Sequence, residues 1–195
     1  IPPSVTLIVF GVFVLASVSR AAEPNPPEGF RALFNGRNLD GWYGHNPHQT
    51  ARVAAEEREQ AVAAQQADFL AHWRVDNGEL VNDGNGPYAT TREEFGDIEL
   101  LIEYQTVPKA DSGIYLRGTP QVQIWDYTEA GGKWDRGADK GSGGLYNNSP
   151  DAPGKLPLVL ADKPFGEWNQ FRITQISSST TELLNGQNVV DNAIM

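Results

Sequence analysis

The stretch from Gly96 to Asp126, GDIELLIEYQTVPKADSGIYLRGTPQVQIWD, constrains the chain most, because it holds three short alternating runs, each closed by turn residues. Ile98 to Gln105 is the first, Gly113 to Arg117 the second and Gln121 to Trp125 the third. Successive side chains of a strand point to opposite faces. Leu100, Ile102 and Tyr104 therefore share one face of the first run, and Glu99, Leu101 and Glu103 the other. Ile114 and Leu116 oppose Tyr115 and Arg117, while Val122 and Ile124 oppose Gln121, Gln123 and Trp125. Laid side by side, three such strands make one aliphatic face and one of carboxylate, guanidinium, amide and aromatic groups. That second face suits a sugar, whose hydroxyls take bidentate polar partners and whose apolar side lies on a ring. The outer, solvated face of an ordinary antiparallel sheet is the alternative reading.

The segments FNGRNLDGW, SGIYLRG, QVQIWD, GGLYNN and GEWNQFRI follow one another in order. Together they resemble the 3-keto-disaccharide hydrolase domain family, and the similarity runs from about Gly29 to the last residue. The resemblance implies an all-β fold, a concanavalin A-like jelly-roll sandwich with a carbohydrate site on its concave sheet. It also accommodates a helical excursion, and the family pattern continues past Met195 with at least one more strand pair. The sandwich domain, residues 29–195, is accordingly expected to be incomplete at its C-terminus.

At 195 residues the chain suits a single sandwich domain. A net charge of −10 disfavours a nucleic-acid groove, which needs clustered Lys and Arg, and disfavours anionic membranes. A neutral glycan or keto-sugar is the compatible partner. Val5 to Ala16 is an apolar run of signal-peptide length, followed by Ser19-Arg20-Ala21, a small-x-small pattern. Residues 1–21 thus read as a signal peptide lacking its n-region, and residues 22–28 as a Pro-rich linker. The expectation is an exported bacterial protein, periplasmic or extracellular, with no stable membrane insertion after cleavage; an uncleaved anchor is the alternative. Cysteine is absent, which excludes disulfides, thiolate metal sites and a thiol nucleophile.

Between the motifs, Arg52 to Trp73 is rich in Ala, Glu and Gln and free of Gly and Pro, predicting a helix near residues 52–72. Val53, Ala61, Val62, Phe69 and Leu70 form its weak apolar stripe, so the C-terminal end is expected to pack. Asn77-Gly78 and Asn185-Gly186 each predict a hairpin turn. Gly113 sits where a side chain would fill the polar face, leaving room for a ligand or a facing loop. Tyr127 to Ser142 is a long Gly-rich, charged loop, a functional rim or a mobile segment, with Trp134, Asp135, Arg136 and Lys140 able to close over a substrate. In Gln170 to Ile176, Phe171, Ile173 and Gln175 share a face, and Trp168 before it is expected in the core. Asp83, Asn85 and Asp97 lack EF-hand spacing, and no metal site is predicted. No cofactor is indicated.

The chemistry implied by the resemblance is cleavage beside a ketone. A C3 carbonyl acidifies the C2 hydrogen, so the glycosidic bond can break by proton abstraction and elimination. That route needs a base near C2, donors to the developing enolate oxygen and an acid for the leaving group. Glu103 is the candidate base, Arg117 the donor to O3, and Asp126 the acid or orienter. Glu99, Tyr115, Gln121, Gln123, Trp125 and Tyr146 are the candidate substrate contacts. Direct hydrolysis by Glu103 and Asp126 is the mechanistic alternative. A cross-strand Glu103–Arg117 ion pair and a turn-capping Asp126 are the structural ones. A non-catalytic carbohydrate-binding module, stacking sugars on Tyr115, Trp125 and Trp134, and a structural attachment domain are the functional ones.

Overall fold

A computed structural model describes residues 25–195, so the expected signal peptide lies outside the described residues. What is described is mostly β-strand in several antiparallel sheets, with one helix of any length, consistent with an all-β sandwich. The chain divides at Arg92/Glu93 into two compact units.

In the first unit, β1 (Trp42–Gly44) pairs with β4 (Ala89–Thr91), and β2 (Trp73–Asp76) with β3 (Glu79–Asn82). Asn77 and Gly78 turn the second hairpin with φ of 49° and 89°, the left-handed pair that a tight turn between right-twisted strands requires. The short helix α1 (Pro47–Thr50) is capped by Asn46, whose side chain accepts from the His48 and Gln49 N–H groups. The long helix α2 spans Arg58–His72, beginning six residues later than the expected Arg52, after a single 3-10 turn at Ala55–Glu57. The extended backbone of Ala54 separates that turn from α1 and delays the start. Packing is by the C-terminal end, as composition predicts: Phe69 is fully buried. A Cβ on Gly44 would lie 2.4 Å from the Phe69 Cβ, so the bare backbone of β1 is what lets the helix settle there. Leu70 departs from the expected stripe and faces solvent.

The second unit is a two-layer sandwich. One layer is a four-stranded sheet in the order β10 (Gln187–Ile194), β9 (Ser179–Leu184), β8 (Asn169–Ile176), β5 (Ile98–Tyr104). The other is the ribbon of β6 (Asp111–Tyr115) and β7 (Gln121–Trp125), widened by a bridge from Val122 to Leu145. Between them lie Val122, Ile124 and Leu145 from the ribbon side and Phe171, Ile173, Leu184, Val189 and Val190 from the sheet, with Leu100 and Ile102 packed against them. Truncating a side chain such as Ile173 in a core of this kind costs about 2–5 kcal/mol.

Two expected placements are not observed. β5 is not the neighbour of β6: Ile98 to Tyr104 run antiparallel to Gln175 to Asn169, in the opposite layer from the ribbon. Alternation specifies faces, but it does not choose partners. Trp168, expected in the core, is 41% exposed in the turn before β8, where Phe171 takes the interior position instead. The expected face of Phe171, Ile173 and Gln175 is present, with all three buried. Asn185-Gly186 turns β9 into β10 with φ of 52° and 80°.

Candidate functional site

The register of the ribbon builds the site. Asp111 opposes Trp125, Gly113 opposes Gln123 and Tyr115 opposes Gln121. Directly opposed residues of an antiparallel pair project to the same side. Because Ile114, Val122 and Ile124 face the core, Asp111, Tyr115, Gln121, Gln123 and Trp125 occupy the outer face. Of the expected contacts, Tyr115, Gln121, Gln123 and Trp125 are therefore brought together, and Tyr146 joins them edge-on to Trp125, with ring centroids 5.8 Å apart.

Outer does not mean open. Segment 143–146 lies along the free edge of β7, with Gln123 N–H donating to Gly144 O and Tyr146 N–H to Gln121 O. The Trp125 indole N–H donates to Gly141 O at 2.9 Å, which roofs the ring and leaves Trp125 and Gln123 each 3% exposed. At Gly113 an added Cβ would meet Gln121 Nε2 at 2.6 Å, so the gap expected to admit a ligand or a facing loop is filled by the neighbouring glutamine.

The amides form a directed chain. Gln121 Nε2 donates to Gln123 Oε1 at 3.2 Å, and Gln123 Nε2 donates to Asp111 Oδ1 at 2.9 Å. The other Asp111 oxygen, Oδ2, lies 2.5 Å from Lys133 Nζ. Asp111 keeps a side chain 49% exposed while Lys133 is largely covered, so the carboxylate is held on two sides and open on a third. Lys155 reaches over the Tyr146 ring, 4.8 Å from its centroid, and donates to the Tyr146 carbonyl. Sequence reasoning passed over Asp111 and Lys133. Extending the alternation of β6 back two positions from Gly113 would have found Asp111; the partnership with Lys133 has no local signal.

Asp126 lies beneath this face. It is 1% exposed and accepts from Lys109 N–H at 2.7 Å, Thr128 N–H at 2.8 Å and Thr128 Oγ1 at 2.6 Å. Burial pushes its carboxyl up, but the Thr128 hydroxyl and the two backbone donors outweigh this and hold it below the usual range. An acid so placed is ionised and saturated, and it clamps the start of the 127–142 loop to the approach to β6.

The remaining expected residues lie elsewhere. Glu103 receives a hydrogen bond from Gln170 Nε2 at 3.3 Å, and Glu99 pairs with Arg172. Both carboxylates are on the outer face of the four-stranded sheet, across the core from the ribbon's outer face. Arg117 lies beyond the end of β6 with φ of 51° and donates to Gln175 Oε1 at 3.1 Å and to Ser177 O, with Asp97 3.8 Å away. It closes the β8–β9 turn, and the Glu103–Arg117 cross-strand pair does not form. Among the described residues no cluster of His, Asp and Glu is arranged to hold a metal ion, and no helix is long and apolar enough to cross a membrane.

Fold and face together define a β-sandwich domain with a polar and aromatic outer ribbon. The chain belongs to the 3-keto-alpha-glucoside-1,2-lyase-like domain family, whose model matches residues 29–195. It is also similar to a 3-keto-disaccharide hydrolase of Bacteroides thetaiotaomicron, with 21% identity over 189 residues. That alignment covers 86% of this chain, which spans 60% of the length of the relative.

Proposed function

We propose that this chain is the glycoside-cleaving domain of an exported bacterial enzyme acting on 3-keto-disaccharides or related 3-keto-glycosides, at the outer face of the β6–β7 ribbon. The observation that carries the reading is the Asp111 carboxylate, half open to solvent and held between the Lys133 ammonium and the Gln123 amide. Family membership and the name of the Bacteroides relative support the substrate class. Export rests on the apolar run Val5 to Ala16.

In this reading Asp111 takes the role that sequence alone pointed to in Glu103. Its carboxylate removes the C2 proton of the keto sugar, and the electron pair moves into the C2–C3 bond as O3 becomes an enolate. Lys133, beside it, stabilises that charge. The enolate then re-forms the ketone and expels the C1 oxygen, which takes a proton from solvent. Water adds to the resulting enone at C1 to complete hydrolysis. Tyr115, Gln121 and Tyr146 line the approach, while Gln123 orients the base. Asp126 holds the loop.

The test is incubation with a panel of 3-keto-disaccharides and their unoxidised parents, with released monosaccharide followed by mass spectrometry. Cleavage of the keto forms alone is expected. Cleavage of both forms would replace elimination with direct hydrolysis, which needs no ketone. Binding without cleavage of either would make the domain a carbohydrate-binding module.

A further inference from the structure

We infer that Trp134 is the platform for the second sugar of the disaccharide, the ring that departs, and that it sets the preference for disaccharides over simple glycosides. The inference rests on the reading of Asp111 and Lys133 just given. Trp134 directly follows Lys133, whose ammonium is bonded to Asp111, so the indole is tied by one peptide link to the pair that meets the reacting ring. It is 48% exposed, the most solvent-facing of the tryptophans among the described residues. A large ring left open to solvent is what a pyranose stacks upon.

The ring is not loose. Its N–H donates to Tyr127 O at 3.0 Å, and Tyr127 itself lies against Phe165 with centroids 5.8 Å apart. The 3-10 turn Trp134–Arg136 is closed by Gly137 with φ of 93°, and the preceding turn by Gly132 with φ of 72°. Both are left-handed positions that glycine adopts without strain. Below them Asp126 binds Thr128 to Lys109. The platform is thus held by its bond to Tyr127 and the base by Lys133 and Gln123, and Asp135 and Arg136, exposed on the same turn, supply polar partners at the rim.

The experiment compares kcat and KM for a 3-keto-disaccharide and for methyl 3-keto-glucoside in the wild-type chain, Trp134→Ala and Trp134→Phe. Loss of one stacked ring predicts a fall of about 2- to 12-fold in kcat/KM for the disaccharide, carried by KM, with the methyl glycoside unchanged and Phe restoring most of the loss. An equal fall on both substrates would show a structural role and overturn the inference, as would no change on either. If the wild-type chain cleaves neither substrate, the functional reading fails by itself. Calorimetric titration with the unoxidised disaccharide and methyl glucoside then decides the platform. A disaccharide preference that disappears in Trp134→Ala supports it, and equal or undetectable binding of the two by wild type overturns it.

Discussion

Gln123 donates to Asp111 at 2.9 Å from a position almost sealed from solvent, so a buried amide aims a carboxylate that is itself half exposed. Such an arrangement fixes the direction of a base without closing access to it. Asp111→Asn keeps the shape and removes the proposed proton acceptor. Turnover of 3-keto-disaccharides is expected to fall about 10²- to 10⁴-fold, the usual contribution of a positioned base, with the melting temperature little changed. Released monosaccharide and a thermal melt on the same sample check both halves.

Glu103→Gln separates the geometry from the sequence pattern. Glu103 lies across the core from the ribbon face and has an exposed, long contact to Gln170. The substitution is expected to change stability by less than about 0.5 kcal/mol and to leave turnover intact. A loss of turnover comparable to that of Asp111→Asn would move the site to the other face of the sandwich.

Asp126→Asn replaces a buried acceptor of three hydrogen bonds with a group that must turn an NH2 toward a donor. A cost of about 1.5–3 kcal/mol is expected from urea unfolding at neutral pH. The wild-type carboxyl lies below its ordinary value near 3.8 in the folded state. Its stabilisation is therefore fully present above that value and is lost as pH falls through the lower, folded pKa. In Asp126→Asn that acid-side loss should be absent from the pH profile of unfolding.

Glu182 slopes the other way. It is fully buried on the core face of β9 between Thr180 and Leu184, and neither carboxyl oxygen has a partner. Burial raises its pKa well above 4.5. The folded state then holds a proton that the unfolded chain has released, so stability falls as pH rises from about 4.5 toward the raised value. Glu182→Leu should remove that fall and stabilise the protein at neutral pH by about 1–3 kcal/mol. Urea midpoints at mildly acidic and neutral pH measure it.

The legible parts of the fold were the local ones. Alternation in Gln121 to Trp125 gave the strand with its bounds and both of its faces, and the Asn-Gly pairs gave two hairpins. Composition marked a helix whose C-terminal end packs through Phe69. What escaped was non-local. β5 pairs with β8 some seventy residues along the chain, a choice decided by burying the core faces of both, and this carried Glu99 and Glu103 away from the ribbon. Within the candidate site, the glutamines and aromatics were visible by register. The Asp111–Lys133 pair was not, because a loop delivers the lysine. Glu182 carries the same lesson: its alternation with Leu184 was in plain view, but nothing in TELLNG says which face turns inward.

The Asp126 clamp divides labour within the 127–142 loop. Its bonds fall at Lys109 and Thr128, at the base, and leave residues 133–136 at the crown carrying none of them. On the proposed function, substitutions at residues 134–136 would reshape the rim while Lys133 stays on Asp111, so sugar preference and the aim of the carboxylate would be separable one residue at a time.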